Sequence, residues 1–192
     1  SMKAEVYRDG KIYRQTYERG KPTNKVEKIG ETAKKGTKII FHPDPEIFQN
    51  AKFSWQTIID HLRQQAYLTK GVKITVVDEG GADHPSPYTL YFEGGIASYV
   101  KHLNKTKTLL CEEPIYLEKE MDDIYVEAAL AYADDYNEHV FTFANNIHTT
   151  EGGTHLTGFR SALTRAINDY LKKNEILKNG ETILTGDDVR EG

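Results

Sequence analysis

With 192 residues, 38% of them hydrophobic and 28% charged, the chain can build one larger or two small cores and has the charge content of a soluble protein. Its net charge of -4 excludes a protein whose whole task is electrostatic capture of nucleic acid, so any DNA contact is local or belongs to a larger assembly. The single cysteine, Cys111, excludes an internal disulfide and a cysteine-cluster metal site and fits a reducing, cytoplasmic setting; no apolar run is long enough to span a membrane, and the start carries no signal-peptide pattern.

Glu5 to Glu18 reads as a hairpin, because two strand-like runs holding Val6-Tyr7 and Ile12-Tyr13 flank Asp9-Gly10, a pair suited to a two-residue turn with positive backbone angles. Arg19 to Lys35 is polar and is expected to be a solvated connection with a short extended piece near Val26. Thr37 to Phe41 is the next strand, ended by His42-Pro43-Asp44-Pro45, whose prolines cannot continue a ladder. A helix is expected from Ser54, its candidate N-cap, with Trp55, Ile58, Ile59, Leu62 and Ala66 as its apolar stripe and Lys70-Gly71 as its stop. Val72 to Val77 alternates as a strand, Gly80 to Pro87 is a loop, and Tyr88 to Phe92 is a strand.

The composition breaks at Glu93-Gly94-Gly95, where a domain boundary is expected, dividing the chain into 1–93 and 94–192. Ile96, Tyr99, Val100 and Leu103 mark a short helix, and Thr106 to Pro114 a connection. Strands follow at Ile115 to Leu117 and Ile124 to Tyr132, and a turn over Asp134 to Asn137 leads into a strand from His139 to Asn145, where Val140, Thr142 and Ala144 alternate with Phe141 and Phe143. Gly152-Gly153 then turns the chain and Thr154 is the candidate N-cap of a long helix. Leu156, Phe159, Leu163, Ile167, Tyr170 and Leu171 recur at three- and four-residue steps and predict that helix from about Thr154 to about Lys173. The rest is polar, and Thr185 to Gly192 reads as a loop. Mixed strands and helices make the chain α+β.

Asn145-Asn146-Ile147, Gly152-Gly153-Thr154-His155, Gly158-Phe159-Arg160, Leu163-Thr164-Arg165 and Asn168-Asp169-Tyr170 stand in a fixed order. Before them come Gly30-Glu31-Thr32, Gly36-Thr37, Ile40-Phe41-His42-Pro43-Asp44 and Phe92-Glu93-Gly94-Gly95-Ile96; after them comes Thr185-Gly186-Asp187-Asp188-Val189-Arg190-Glu191-Gly192. In these residues and their order the chain resembles the B subunits of bacterial type IIA topoisomerases, DNA gyrase and topoisomerase IV. The resemblance implies that 1–93 is the C-terminal portion of a GHKL-type ATPase domain, an α/β sandwich. It implies that 94–192 is the N-terminal portion of a ribosomal-S5-like transducer domain.

It also implies a parent enzyme that binds ATP with Mg2+, pairs with a second B subunit and a gyrase A-type subunit, and couples hydrolysis to passage of one DNA duplex through another. Thr37 matches the threonine that lines the adenine end of the ATP pocket, and Arg160 matches the arginine lining the cavity through which DNA passes. Read from the residues alone, Thr37 is a β-branched residue opening a strand and Arg160 a solvated or salt-bridged helix arginine. The family's general-base glutamate, magnesium-binding asparagine, adenine-binding Asp-x-Gly-x-Gly and phosphate lid are absent from the sequence, and its lysine loop is expected after Gly192. No catalytic residue is therefore assigned, and the chain alone is expected neither to hold ATP nor to hydrolyse it.

Asp78-Glu79-Gly80-Gly81-Ala82 comes near the adenine element but reads as an acidic turn. His148, Glu151 and His155 fit neither a one-turn helix pair nor a zinc ribbon, so no metal is assigned to them. The pairs Asp122-Asp123, Asp134-Asp135 and Asp187-Asp188 read as turns rather than acid/base dyads. Two alternatives stay open: a topoisomerase IV B subunit, and a stand-alone binding module without catalysis. A related chaperone-like or repair ATPase would share the domain order but not Gly152-Gly153-Thr154-His155.

Overall fold

The structure is a computed structural model that describes residues 1–49, 52–81, 84–176 and 183–192. It divides into two compact units, 1–54 and 55–192, each considered by itself.

The first unit is an antiparallel sheet. Strand β1 (Met2–Arg8) pairs with β2 (Lys11–Glu18) from Met2 opposite Tyr17 to Arg8 opposite Lys11. Asp9 and Gly10 close this hairpin with φ of 53° and 73°, the positive angles that a two-residue turn between twisted strands requires. The segment expected to be a solvated connection instead repeats the device. Arg19 and Gly20 take φ of 47° and 79°, returning the chain into β3 (Lys21–Pro22) against the end of β2, and β4 (Glu27–Glu31) pairs with the start of β2. Arg-Gly is a weaker turn signal than Asp-Gly, because only its glycine favours a positive angle, and this hid the turn. Strand β5 (Gly36–Phe41) lies on the far side of β1, as expected.

In the second unit, α1 (Trp55–Leu68) buries Ile59, Ala66 and Tyr67. Gly71, with φ 79°, turns the chain into β6 (Ile74–Val76), which pairs with β7 (Tyr88–Leu90). Helix α2 (Gly95–Leu103) opens against the end of α1: a Cβ on Gly95, φ 53°, would sit 3.6 Å from the Tyr67 carbonyl oxygen. Tyr67 stacks on Phe92 at 3.7 Å and on Tyr99 at 5.0 Å between ring centres, so its ring joins residues on both sides of Glu93-Gly94-Gly95. Strands β8 (Ile115–Met121) and β9 (Ile124–Leu130) form one hairpin turned at Asp122-Asp123, whose φ values are 50° and 62°.

The strand expected over His139 to Asn145 narrows to β10 (Phe143–Ala144). Asn145 and Asn146 adopt φ of 48° and 66°, which asparagine tolerates, so the chain reverses at once into β11 (Ile147–His148). Thr149 N–H donates to the Thr142 carbonyl at 2.8 Å and extends that small ladder by one rung. Helix α3 (Thr154–Lys173) has the predicted bounds, but its N-cap is Gly153 rather than Thr154. The last residues, read as a loop, contain α4 (Gly186–Arg190), started by a capping box in which Thr185 Oγ1 accepts from Asp188 N–H while Asp188 Oδ2 accepts from Thr185 N–H. Asn168 is buried on α3 and its amide grips the backbone of Leu184, donating to the carbonyl and accepting from N–H, both at 2.9 Å.

Candidate functional sites

Thr37 is the second residue of β5, directly opposite Val6 of β1, so the ladder fixes its place. It is exposed, and its hydroxyl has no hydrogen-bond partner among the described residues. A free hydroxyl can donate and accept, so the residue fits the adenine end of a nucleotide site. Groups for the phosphates and magnesium are another matter: among the described residues no three His, Cys, Asp or Glu side chains come together to hold a metal ion.

Asp78, the head of the near-miss adenine element, is already engaged. Its Oδ1 accepts from Gly80 N–H at 2.7 Å, its Oδ2 lies 2.9 Å from His84 Nε2, and its own N–H donates to Ser86 Oγ. His84 in turn stacks on Trp55 with ring centres 3.7 Å apart. Ala82, the residue that breaks that element, lies outside the described residues.

Arg160 stands in the second turn of α3 and faces the loop before β10. Its Nε and Nη2 donate to the two carboxylate oxygens of Glu138 at 3.0 and 2.9 Å, a fork-to-fork pair. Arg190 of α4 reaches the same carboxylate, its Nε donating to Glu138 Oε2 at 3.3 Å, while its Nη2 donates to Asp187 Oδ1 at 2.6 Å. The loop carrying Glu138 is anchored on its other side. Lys107 Nζ donates to Asp135 Oδ2 at 2.7 Å, and this contact, with the Asn137 side chain and N–H, holds the Asp135 carboxyl far below the usual carboxylate range. Tyr132 O–H donates to the Val189 carbonyl at 2.8 Å, and Ala133 N–H to that of Gly192 at 2.9 Å. Arg165 and Lys172, further along α3, are exposed.

The double glycine before α3 is required by close approach as well as by its angles. A Cβ on Gly152 would lie 2.9 Å from a Leu156 methyl, and one on Gly153, whose φ is 145°, would lie 2.9 Å from the His155 ring. His155 folds back over that glycine, and its Nε2 lies 3.2 Å from Thr149 Oγ1, which also bonds Thr142 at 2.6 Å. His155 thus braces the β10–β11 hairpin, whereas His148 packs on Phe143 with ring centres 5.2 Å apart.

Thr37 and Arg160 fall in different units, and neither lines the polar cleft between α1 and α2 around Arg63, Gln64, Tyr99 and His102. Glu138 and Arg190 were missed as partners of Arg160. Arg190 carried a usable signal, since Thr185-x-x-Asp188 is a capping-box spacing and places it on a helix; Glu138, in a polar loop, carried none.

A family model described as DNA gyrase B matches residues 95–192. The DNA gyrase B protein of Clostridium acetobutylicum is 50% identical over 193 aligned positions, covering 100% of this chain and 30% of that protein. Its Streptococcus pneumoniae counterpart is 47% identical, covering 97% of this chain and 29% of its own length. The chain thus spans less than a third of the curated relatives it matches. Among solved structures, the 43K ATPase domain of Thermus thermophilus gyrase B, in complex with an aminocoumarin, superposes with a TM-score of 0.85 at 38% identity, covering 100% of this chain and 52% of that one. The topoisomerase IV ATP-binding domain of Francisella tularensis gives 0.77 at 28% identity, covering 97% and 50%. The chain belongs to the DNA gyrase B family.

Proposed function

We propose that the chain is part of the B subunit of an ATP-dependent type II DNA topoisomerase, a DNA gyrase, in which 1–93 belongs to the ATPase domain and 94–192 to the transducer. The observation that carries the reading is likeness to gyrase B along the whole chain, in sequence at 50% identity and in fold at a TM-score of 0.85. The same comparisons favour gyrase over topoisomerase IV, since the gyrase proteins are 44% to 50% identical and the topoisomerase IV domain 28%.

In this reading the parent binds ATP and Mg2+, closes on a DNA duplex together with a second B subunit, and works with a gyrase A-type subunit in the cytoplasm. Bound ATP supplies the free energy that the strand-passage cycle consumes. This chain's own share is mechanical: Thr37 offers its hydroxyl at the adenine end, and Arg160 presents a guanidinium that meets DNA phosphate irrespective of sequence. Packed helices and strands joining two such sites are what coupling between them requires.

In the full-length protein reconstituted with its A-type partner, Thr37→Ala should raise KM for ATP about tenfold, the effect of losing one or two hydrogen bonds. Arg160→Ala should slow strand passage while leaving binding of a non-hydrolysable ATP analogue intact. Strand passage at the wild-type rate in Arg160→Ala would remove the DNA-facing role. Calorimetry of the same analogue with this chain, and with a version extended on both sides, should show binding only in the extended form. Useful affinity in the short chain would place a nucleotide site elsewhere and favour a stand-alone module.

A further inference from the structure

We propose that Glu138 competes with DNA for Arg160 and Arg190: at rest its carboxylate closes the two guanidiniums into a neutral cluster, and a backbone phosphate displaces it and takes both. The proposal rests on the reading of Arg160 as DNA-facing, and adds to it a second cation and a restraint.

The geometry is that of an anion site already filled by a side chain. Two arginines from different helices converge on one carboxylate, Oε2 accepting from Arg160 at 2.9 Å and from Arg190 at 3.3 Å while Oε1 accepts from Arg160 at 3.0 Å. A phosphodiester presents two charged oxygens to a guanidinium fork much as a carboxylate does, so the exchange preserves the hydrogen bonding. The cluster is also reachable, since the Arg160, Glu138 and Arg190 side chains keep 37%, 29% and 20% of their exposure. Part-exposed ion pairs of this kind are weak, which a restraint must be if a ligand is to displace it.

The surroundings are arranged so that only the Glu138 side chain has to move. Its loop is pinned through Asp135 to Lys107 and through Tyr132 to the Val189 carbonyl. Arg190 is pinned by α4, whose capping box is intact and whose Val189 is buried. Asp187 pairs with the far side of Arg190 but is 96% exposed, and so stays solvated throughout. With Glu138 in place the four charges of Arg160, Arg190, Glu138 and Asp187 cancel; with it swung out the two arginines face a phosphate together. A dense array of phosphates would open the cluster where an isolated anion would not, because counterion release adds with each phosphate engaged.

The test is binding of a short fluorescein-labelled mixed-sequence duplex to this chain, read by anisotropy across a salt series. Glu138→Gln should tighten binding about two- to fivefold at low salt, and steepen the log–log salt dependence by about one. Arg160→Ala and Arg190→Gln should each weaken binding, and Glu138→Gln should gain nothing in the Arg160→Ala, Arg190→Gln background. Glu138→Asp, which keeps the charge but shortens the reach, should fall between wild type and Glu138→Gln, and covers the case in which the amide destabilises the loop. Equal tightening by Glu138→Gln with both arginines removed would show a general charge effect and overturn the proposal, as would no tightening where Arg160→Ala weakens binding. An Arg160→Ala variant binding as wild type would instead remove the DNA-facing reading beneath it.

Discussion

Residues 1–54 and residues 55–192 keep their shape by different means. In the first unit the order lies in the backbone: four antiparallel pairings and two tight turns account for nearly every rung, while among its described residues Glu5 alone is buried and all six residues of β5 are exposed. In the second unit side chains close the structure. Ala66 is fully buried, Tyr67 lies stacked with Phe92 and Tyr99, and the amide of Asn168 holds Leu184 by both backbone groups. A ladder satisfies peptide groups without covering a face, so the first unit depends on turn angles and cross-strand charge, and the second on packing volume and buried amides.

Truncating the second unit's central ring should give the largest effect. Tyr67→Ala removes a ring that is 5% exposed and should cost about 3–5 kcal/mol, whereas Tyr67→Phe keeps the stack and should stay within about 0.5 kcal/mol of wild type. Segment-resolved hydrogen exchange should show protection lost over α1 and α2 and retained over β1 and β2; uniform loss would break the contrast. Next comes Asn168→Ala, which strands the N–H and carbonyl of Leu184 and should cost about 1–3 kcal/mol, read as earlier exchange in α3 and α4. Asn168→Asp, which loses the donor alone, should fall on the same side of wild type.

The helices were legible because their apolar stripes and stop signals are local: α1, α2 and α3 lie where the three- and four-residue spacing put them. The Asp9-Gly10 hairpin was legible for the same reason, since both residues favour the angle they adopt. Arg19-Gly20 was not, because its arginine gives no hint of φ 47°, and the strand around Phe143 was overdrawn because alternation says nothing of where Asn145 and Asn146 reverse the chain. Of the sites, the positions of Thr37 and Arg160 followed from motif order. The Glu138–Arg190 pairing did not, being a contact between residues 52 positions apart in a loop and a short helix.

A change of backbone freedom should separate the two units from the other direction. At Gly10, with φ 73°, an added Cβ would meet no atom within 4 Å, so Gly10→Ala carries strain alone, about 1 kcal/mol. The loss should appear in the exchange of β1 and β2 amides and nowhere in α1 to α3. No loss at all would mean that the ladder rather than the turn sets the stability of the hairpin.

The smallest expected effect is a dependence on pH, and its sign follows from Glu5. Glu5 stands opposite Arg14 on β2 and Lys38 on β5; Arg14 donates to its Oε1 at 2.7 and 3.0 Å, and Tyr7 to its Oε2 at 3.0 Å. The hydrogen bonds from Arg14 and then Tyr7 outweigh burial and hold its carboxyl below the ordinary value of 4.5. A carboxyl lowered on folding contributes stability that is fully present above its unfolded value and is lost as pH falls through its folded one. The β1–β2–β5 ladder should therefore lose protection on acidification below about pH 4.5, and Glu5→Gln should flatten that profile. Asp44, lowered chiefly by Arg19, titrates in the same direction in this unit, so the Gln variant should retain a residual slope that Asp44→Asn removes. A Glu5→Gln profile as steep as wild type would mean that the ladder, not the charge buried within it, sets the acid stability of the sheet.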